Sequence, residues 1–138
     1  MNVILCLDNK QGLLFNNRRQ SRDKAVIEDM FNFLGEKMLF VSPFSEKLFQ
    51  EYEGKVTASA DFPESCSAGE FFFSENAELA PLVDKIEEIV VYRWNRDYPA
   101  DFYCDIDFSL FELASTAEFK GYSHEIITKE IFIRGNNI

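Results

Sequence analysis

Four cations fall within seven residues, Arg18, Arg19, Arg22 and Lys24, in a chain whose formal net charge is -10. Three of the six arginines are in this one connection. The planar guanidinium fork matches carboxylate and phosphate groups, so the stretch reads as an anion-facing loop. In that reading Arg18, Arg19 and Arg22 clamp the anion and Asn16 or Asn17 orients it. The structural alternative is that these arginines pair with surface acids and order the loop. Asp23 and Glu28 follow closely and could supply a buried acid for proton transfer. Their plainer reading is a helix cap and a solvent-facing acid, with Asp23 favoured near the positive end of a helix. Trp94, in Arg93-Trp94-Asn95-Arg96, could stack on a planar ligand or anchor a partner protein; otherwise it closes an edge of the core.

Other chemistries find less support. Asp101, Asp105 and Asp107 could hold a hard cation through oxygen, but the glycine and distal glutamate of a calcium loop are missing, and a solvated edge is the simpler reading. No metal site is expected. A single histidine, His124, leaves too few ligands for a dinuclear zinc centre. Ser-His-Asp catalysis would have to use that same His124, no G-x-S-x-G elbow accompanies it, and it is expected as an exposed or partly satisfied strand residue. No G-x-G-x-x-G or phosphate-binding loop occurs.

The elements that must position these residues follow from apolar patterning. The continuous run Val3 to Leu7 predicts a buried strand, ended by the turn-forming Asp8-Asn9-Lys10-Gln11-Gly12. Ser21 or Asp23 caps a helix through Val26, Ile27, Met30, Phe31 and Leu34, with Gly35 as its stop. Met38 to Val41 is a second strand, and Ser42-Pro43 opens a helix carrying Phe44, Leu48, Phe49 and Tyr52. Lys55 to Ser59 and Phe71 to Phe73 are strands, separated by a loop over residues 60–69. Ser74 caps a helix that is short or kinked at Pro81. Ile86 to Tyr92 is a β-branched strand, residues 93–107 are irregular, and residues 111–119 and 124–134 form a terminal hairpin around Lys120-Gly121-Tyr122. Consecutive aromatics such as Phe71-Phe72-Phe73 require cover on both faces, from a helix or a partner subunit. The sum is an α/β domain spanning residues 1–138, with a central mixed, mostly parallel sheet of about eight strands ending in an antiparallel hairpin.

At 138 residues, 46% of them hydrophobic, the chain can build a core without staples. Twenty-four acids against 14 basic residues argue against nucleic acid or an anionic membrane as partner. Cys6, Cys66 and Cys104 are widely spaced with no C-x-x-C pair; Cys6 and Cys104 lie in apolar runs and read as core residues, and the set fits a reduced cytoplasmic setting. The five-residue apolar run near the start is too short for a signal or a membrane span.

The order of elements, and several strings, resemble dihydrofolate reductase. Met1-Asn2-Val3-Ile4-Leu5-Cys6-Leu7-Asp8-Asn9 with Gly12-Leu13 and Asn16-Asn17 looks like that family's first strand and following loop. Lys37-Met38-Leu39-Phe40-Val41 looks like its second strand, and Asp105-Ile106-Asp107-Phe108-Ser109-Leu110-Phe111-Glu112-Leu113 like the segment entering its last hairpin. The string from Leu14 to Asp23 is also similar to one in short bacterial proteins. The resemblance implies the three-layer scaffold. Its departures weaken the activity it would otherwise imply: Arg18-Arg19-Gln20-Ser21 stands for the family's Pro-Trp, and its folate-binding acid has only Asp23 or Glu28 as candidates. Ser42-Pro43-Phe44-Ser45 replaces the Gly-Arg-x-Thr that meets the NADPH phosphate, and Ser74-Glu75 replaces the Gly-Gly pair beside the pyrophosphate. A glutamate there would repel phosphate.

The expectation is therefore a dihydrofolate reductase-like protein without reductase activity or a resident NADPH. It would bind a small anionic, nucleotide- or pterin-like ligand near the arginine loop. The alternatives are a homodimer with a filled pocket that acts through protein interaction, and a divergent NADPH-dependent reductase using Asp23 or Glu28.

Overall fold

The computed structural model describes residues 1–135. In chain order its strands are β1 (Asn2–Leu7), β2 (Gly12–Phe15), β3 (Arg18–Arg19), β4 (Leu39–Val41), β5 (Val56–Ala58), β6 (Phe71–Phe73), β7 (Glu88–Arg93), β8 (Phe102–Tyr103), β9 (Phe111–Phe119) and β10 (Ile127–Arg134), and its one α-helix is α1 (Lys24–Leu34). Seven strands form the main sheet in the order β5-β4-β6-β1-β7-β10-β9. The pairs from β5 through β7 are parallel, whereas β10 runs antiparallel to both β7 and β9. Apart from Cys6, the residues of β1 are all buried, as expected of a parallel strand covered on both faces.

Alternating side chains divide the core between those faces. Val3, Leu5, Phe72, Ile89 and Val91 pack on one side with Leu79, Ile86 and Ile106. Ile4, Phe71, Phe73, Val90 and Tyr92 pack on the other against Val26, Met30, Phe31 and Leu34 of α1. The chain's own layers thus cover all three phenylalanines of β6, and no second subunit is needed to bury them. Each such side chain removed from water contributes about 1.5–3 kcal/mol.

Local chemistry sets the boundaries of α1. Asp23, with extended backbone, accepts a hydrogen bond from the Ala25 N–H, and Gly35 ends the helix at φ 61°. Asp23, not Ser21, is therefore the cap. The other two expected helices are shorter and tighter. Residues 43–55 form 3₁₀ turns broken at Phe49 and Tyr52, and Ser42 makes no side-chain cap bond. Residues 74–79 are not helical, and a single 3₁₀ segment, Ala80–Lys85, carries Pro81. In both stretches the polar side chains that would cap a helix are engaged elsewhere or left free, as the site shows.

The arginine loop is a hairpin. Asn16 and Asn17 adopt φ of 51° and 58°, the left-handed pair demanded by a two-residue turn between β2 and β3. With β8, which interrupts the expected irregular stretch 93–107, these strands form a second, three-stranded sheet. Among the described residues no helix is long and apolar enough to cross a membrane.

Candidate functional site

Three buried carboxylates lie where β1, β6 and β7 end. Asp8 accepts from the Lys10, Gly12 and Tyr98 N–H groups and the Gln20 amide. The other two, Asp23 and Glu75, line one cleft. The first is Asp23. Its Oδ1 accepts from the N–H groups of Ala25 and Tyr122, at 2.9 and 3.0 Å. Its Oδ2 accepts from the Ser123 N–H at 2.9 Å and the Ser123 hydroxyl at 3.1 Å. His124 Nδ1–H donates to the same oxygen at 2.9 Å. Burial alone would raise this carboxyl, but the bonds from Tyr122, His124, Ser123 and Ala25 outweigh it and hold Asp23 well below the usual carboxylate range. The β9–β10 loop is thereby pinned to the start of α1, and Gly121 makes the approach possible. A Cβ there would lie 2.6 Å from Asp23 Oδ2 and 2.8 Å from the His124 carbonyl oxygen.

His124 is consequently no exposed strand residue. It is 3% exposed, sits in the loop before β10, and stacks on Trp94 with ring centroids 4.5 Å apart. In the tautomer with Nδ1–H donating to the Asp23 carboxylate, Nε2 is the acceptor. Two hydroxyls donate to it, Tyr98 at 2.8 Å and Ser21 at 3.2 Å.

The second carboxylate is Glu75, two residues past the end of β6. Arg19 donates to it through both Nε and Nη2, at 2.5 and 2.6 Å, and the Ser45 hydroxyl adds a third bond at 2.8 Å. Arg19 is therefore neutralised internally. Ser74, fully buried beside it, has a hydroxyl with no hydrogen-bond partner among the described residues.

Between the two carboxylates lies a narrow cleft. Cys6, Leu13, Val26, Met30, Phe73 and Trp94 make it apolar, while Ser21, Arg22, Ser74 and Glu75 bring polar groups to it. Its interior volume of about 20 Å³ holds about one water. Burial, reinforced by Glu75, pushes the Cys6 thiol far up, so Cys6 is a wall and no nucleophile. A wider groove of about 270 Å³ adjoins it around the start of α1, where Arg22, Lys24 and Lys47 converge. A third, open hollow of about 540 Å³ lies across β3 and is lined by Asn16, Arg18, Arg19 and Tyr98.

The residues singled out in the sequence are thus dispersed. Arg22 and Trp94 line the cleft, Arg18 and Asn16 border the outer hollow, and Arg19 is bound to Glu75. Asn17 is an exposed turn residue. Glu28 lines an open surface with Asn32, Lys120 and Tyr122 and does not line the cleft. Trp94 is buried under His124, the structural alternative considered for it in part. Asp101, Asp105 and Asp107 each serve the backbone, accepting from Asn16, from Leu79 and Ala80, and from Ser109 respectively. No cluster of three metal-ligating side chains occurs among the described residues. The resemblance sets Ser21, Ser74 and Glu75 beside the family's pocket, whereas His124, Tyr98 and Lys47 were not expected at the site. Only the uniqueness of His124 hinted at one of them.

A central sheet with parallel strands, one antiparallel hairpin at its edge and a cleft at the strand ends defines the class as a three-layer α/β protein. The particular fold is that of dihydrofolate reductase. The dihydrofolate reductase from Enterococcus faecalis, solved in complex with NADP(H) and RAB-propyl, matches with a TM-score of 0.67 over 99% of this chain and 97% of that one, at 10% sequence identity. No family model and no curated protein matches the sequence. The shared feature is the fold.

Proposed function

We propose that the protein binds a small anionic ligand in the groove at the start of α1 and does not act as an NADPH-dependent reductase. One observation carries this reading: Arg22, Lys24 and Lys47 line one groove, and among the described residues none of them is in an ion pair. Three cations against Glu51 and the hydrogen-bonded Asp23 leave this concave surface net positive, which raises the local concentration of anions even when the net charge of the chain is negative. The groove volume lies near the lower end of ordinary ligand pockets, which suits a phosphorylated metabolite, a nucleotide or a pterin carboxylate. The ligand position thus moves from the tip of the arginine hairpin to its base. Arg22 is kept, Lys24 and Lys47 are added, and Arg18 with Asn16 is left in a separate open hollow across β3. Against a reductase stands Glu75. Its side chain, tied by Arg19 and Ser45 just after β6, occupies the place where the resemblance puts a dinucleotide's pyrophosphate and already holds the arginine that could have met a phosphate.

A thermal-shift screen of nucleotides, folates and phosphorylated metabolites tests the proposal. A hit should raise the melting temperature of the native protein and lose most of its effect in Arg22→Ala/Lys47→Ala. Equal stabilisation of both proteins, or of neither, removes the reading. Titration with NADPH should leave its fluorescence unchanged.

A further inference from the structure

Independently of the anion groove, we infer that the narrow cleft is a binding site for one structural water, which accepts from the Ser74 hydroxyl and donates to Gln20 Oε1. Among the described residues these are the buried side-chain atoms without a hydrogen-bond partner, and both residues line this one cleft. They reach it from distant parts of the chain. Ser74 follows β6, where its N–H donates to the Ile4 carbonyl at 3.0 Å and its side chain is fully buried. Gln20 follows β3 at the base of the arginine hairpin. Its amide nitrogen donates to Asp8 Oδ2 and to the Pro99 carbonyl, both at 3.2 Å. Turning the amide over would set its oxygen against those two acceptors, so Oε1 is the atom left without a donor.

Size and charge decide what fits there. The interior of about 20 Å³ gives one water the room it needs and is too small for an organic molecule. A bare cation would suit two oxygens, but Arg19 and Arg22 line the same space. Glu75, the carboxylate that could offset such a cation, is already held by Arg19 and Ser45. An anion would face Glu75 and Gln20 Oε1, which are acceptors themselves. Water is neutral and both gives and takes hydrogen bonds, so it satisfies a hydroxyl and an amide oxygen together. The apolar wall of Leu13, Val26, Met30 and Phe73 offers it no competing partner.

The water's place in the fold gives it a role. Arg19 already ties the hairpin to the segment after β6 through Glu75. The water adds a second tie between their sequence neighbours, from Gln20 to Ser74. A water-mediated bond is nearly as favourable in enthalpy as a direct one, so the two ties together hold the hairpin against the sheet at adjacent points. The cleft is then filled. The wider groove beside it, which shares Arg22, Ile27 and Leu48 with the cleft, gains no depth from it, and anything bound in that groove stays outside the water.

A crystal structure of the native protein at atomic resolution is the direct test. One ordered water within about 3.2 Å of both Ser74 Oγ and Gln20 Oε1 is expected. In solution, a water held in the cleft should give nuclear Overhauser cross-peaks from the water resonance to the methyl groups that line it. Ser74→Val removes the hydroxyl and puts methyl groups in the water's place, so both the ordered water and the cross-peaks should be lost. If that variant does not fold, the native structure decides alone. A dry cleft, a water that reaches only one of the two atoms, an ion in its place, or cross-peaks unchanged in folded Ser74→Val overturns the assignment. No added ligand enters these measurements, so a failed anion screen leaves their outcome readable.

Discussion

Asp23 and Glu75 are both buried carboxylates at the same edge of one sheet, 3% and 5% exposed, yet they are held in different ways. Asp23 is met by three backbone N–H groups, a serine hydroxyl and an imidazole, and its backbone donors cannot swing away. Glu75 relies on side chains, the fork of Arg19 and the hydroxyl of Ser45. The first arrangement locks two distant segments together. The second neutralises a charge with a guanidinium that is itself 25% exposed and can return to water. A buried carboxylate surrounded by backbone donors is part of the scaffold, whereas one held by a single arginine is an adjustable piece of the cleft.

The sharpest way to break this comparison is to remove the first carboxylate. Asp23→Ala strands the Ala25, Tyr122 and Ser123 N–H groups and frees His124, a loss of about 3–5 kcal/mol by analogy with a buried pair deprived of one partner. Urea unfolding measures it, and a loss below about 1 kcal/mol would show that the network is solvated. The same contrast extends to pH. The folded-state Asp23 lies below its ordinary value, so its contribution is full above the unfolded carboxyl pKa of about 3.9 and is lost as pH falls through the folded value. Acid unfolding followed by Trp94 fluorescence should therefore begin below about pH 4, and Asp23→Asn should flatten that limb.

Arg19→Ala should come next, at about 2–3 kcal/mol, because Glu75 is left charged without its counter-ion. Glu75→Ala should cost less, since Arg19 can rehydrate, and the double variant should cost less than the two losses added together. Additivity in that cycle would mean that the pair is not coupled. Gly121→Ala tests the scaffold side by geometry instead of charge. The new Cβ would overlap Asp23 Oδ2 and the His124 carbonyl, and neither can yield without breaking the clamp. A loss of about 1–3 kcal/mol is expected in thermal melts.

How much of this was legible in the sequence follows the same division. β1, α1 with its Gly35 stop, β6 and the terminal hairpin were readable because local pattern and burial agree. The 43–55 and 74–79 segments misled, since Ser42 and Ser74 look like caps but make no cap bond; Ser74 lines the cleft instead. The site was harder to read because its partners are far apart in the chain. Asp23 and His124 are separated by 101 residues and Arg19 and Glu75 by 56, and no periodicity encodes either pairing. Arg19 looked like an anion clamp because its type was visible and its partner was not. His124 looked expendable because strand alternation placed it at the start of β10, whereas Asp23 draws it into the loop before that strand.

Arg18 gives the smallest effect and completes the comparison. It sits one residue from Arg19 in the same two-residue strand, carries the same charge, and differs in having no ion pair among the described residues. Arg18→Ala should therefore change stability by less than about 0.5 kcal/mol, as exposed substitutions do. Anion binding in the groove at the start of α1 should weaken by a few-fold at most, through charge at a distance, and more so at low salt, where exposed charges are least screened. Isothermal titration at two ionic strengths separates these expectations. If Arg18→Ala destabilised the fold as much as Arg19→Ala, position on the hairpin would govern stability, and the distinction between a paired and a free arginine would lose its meaning.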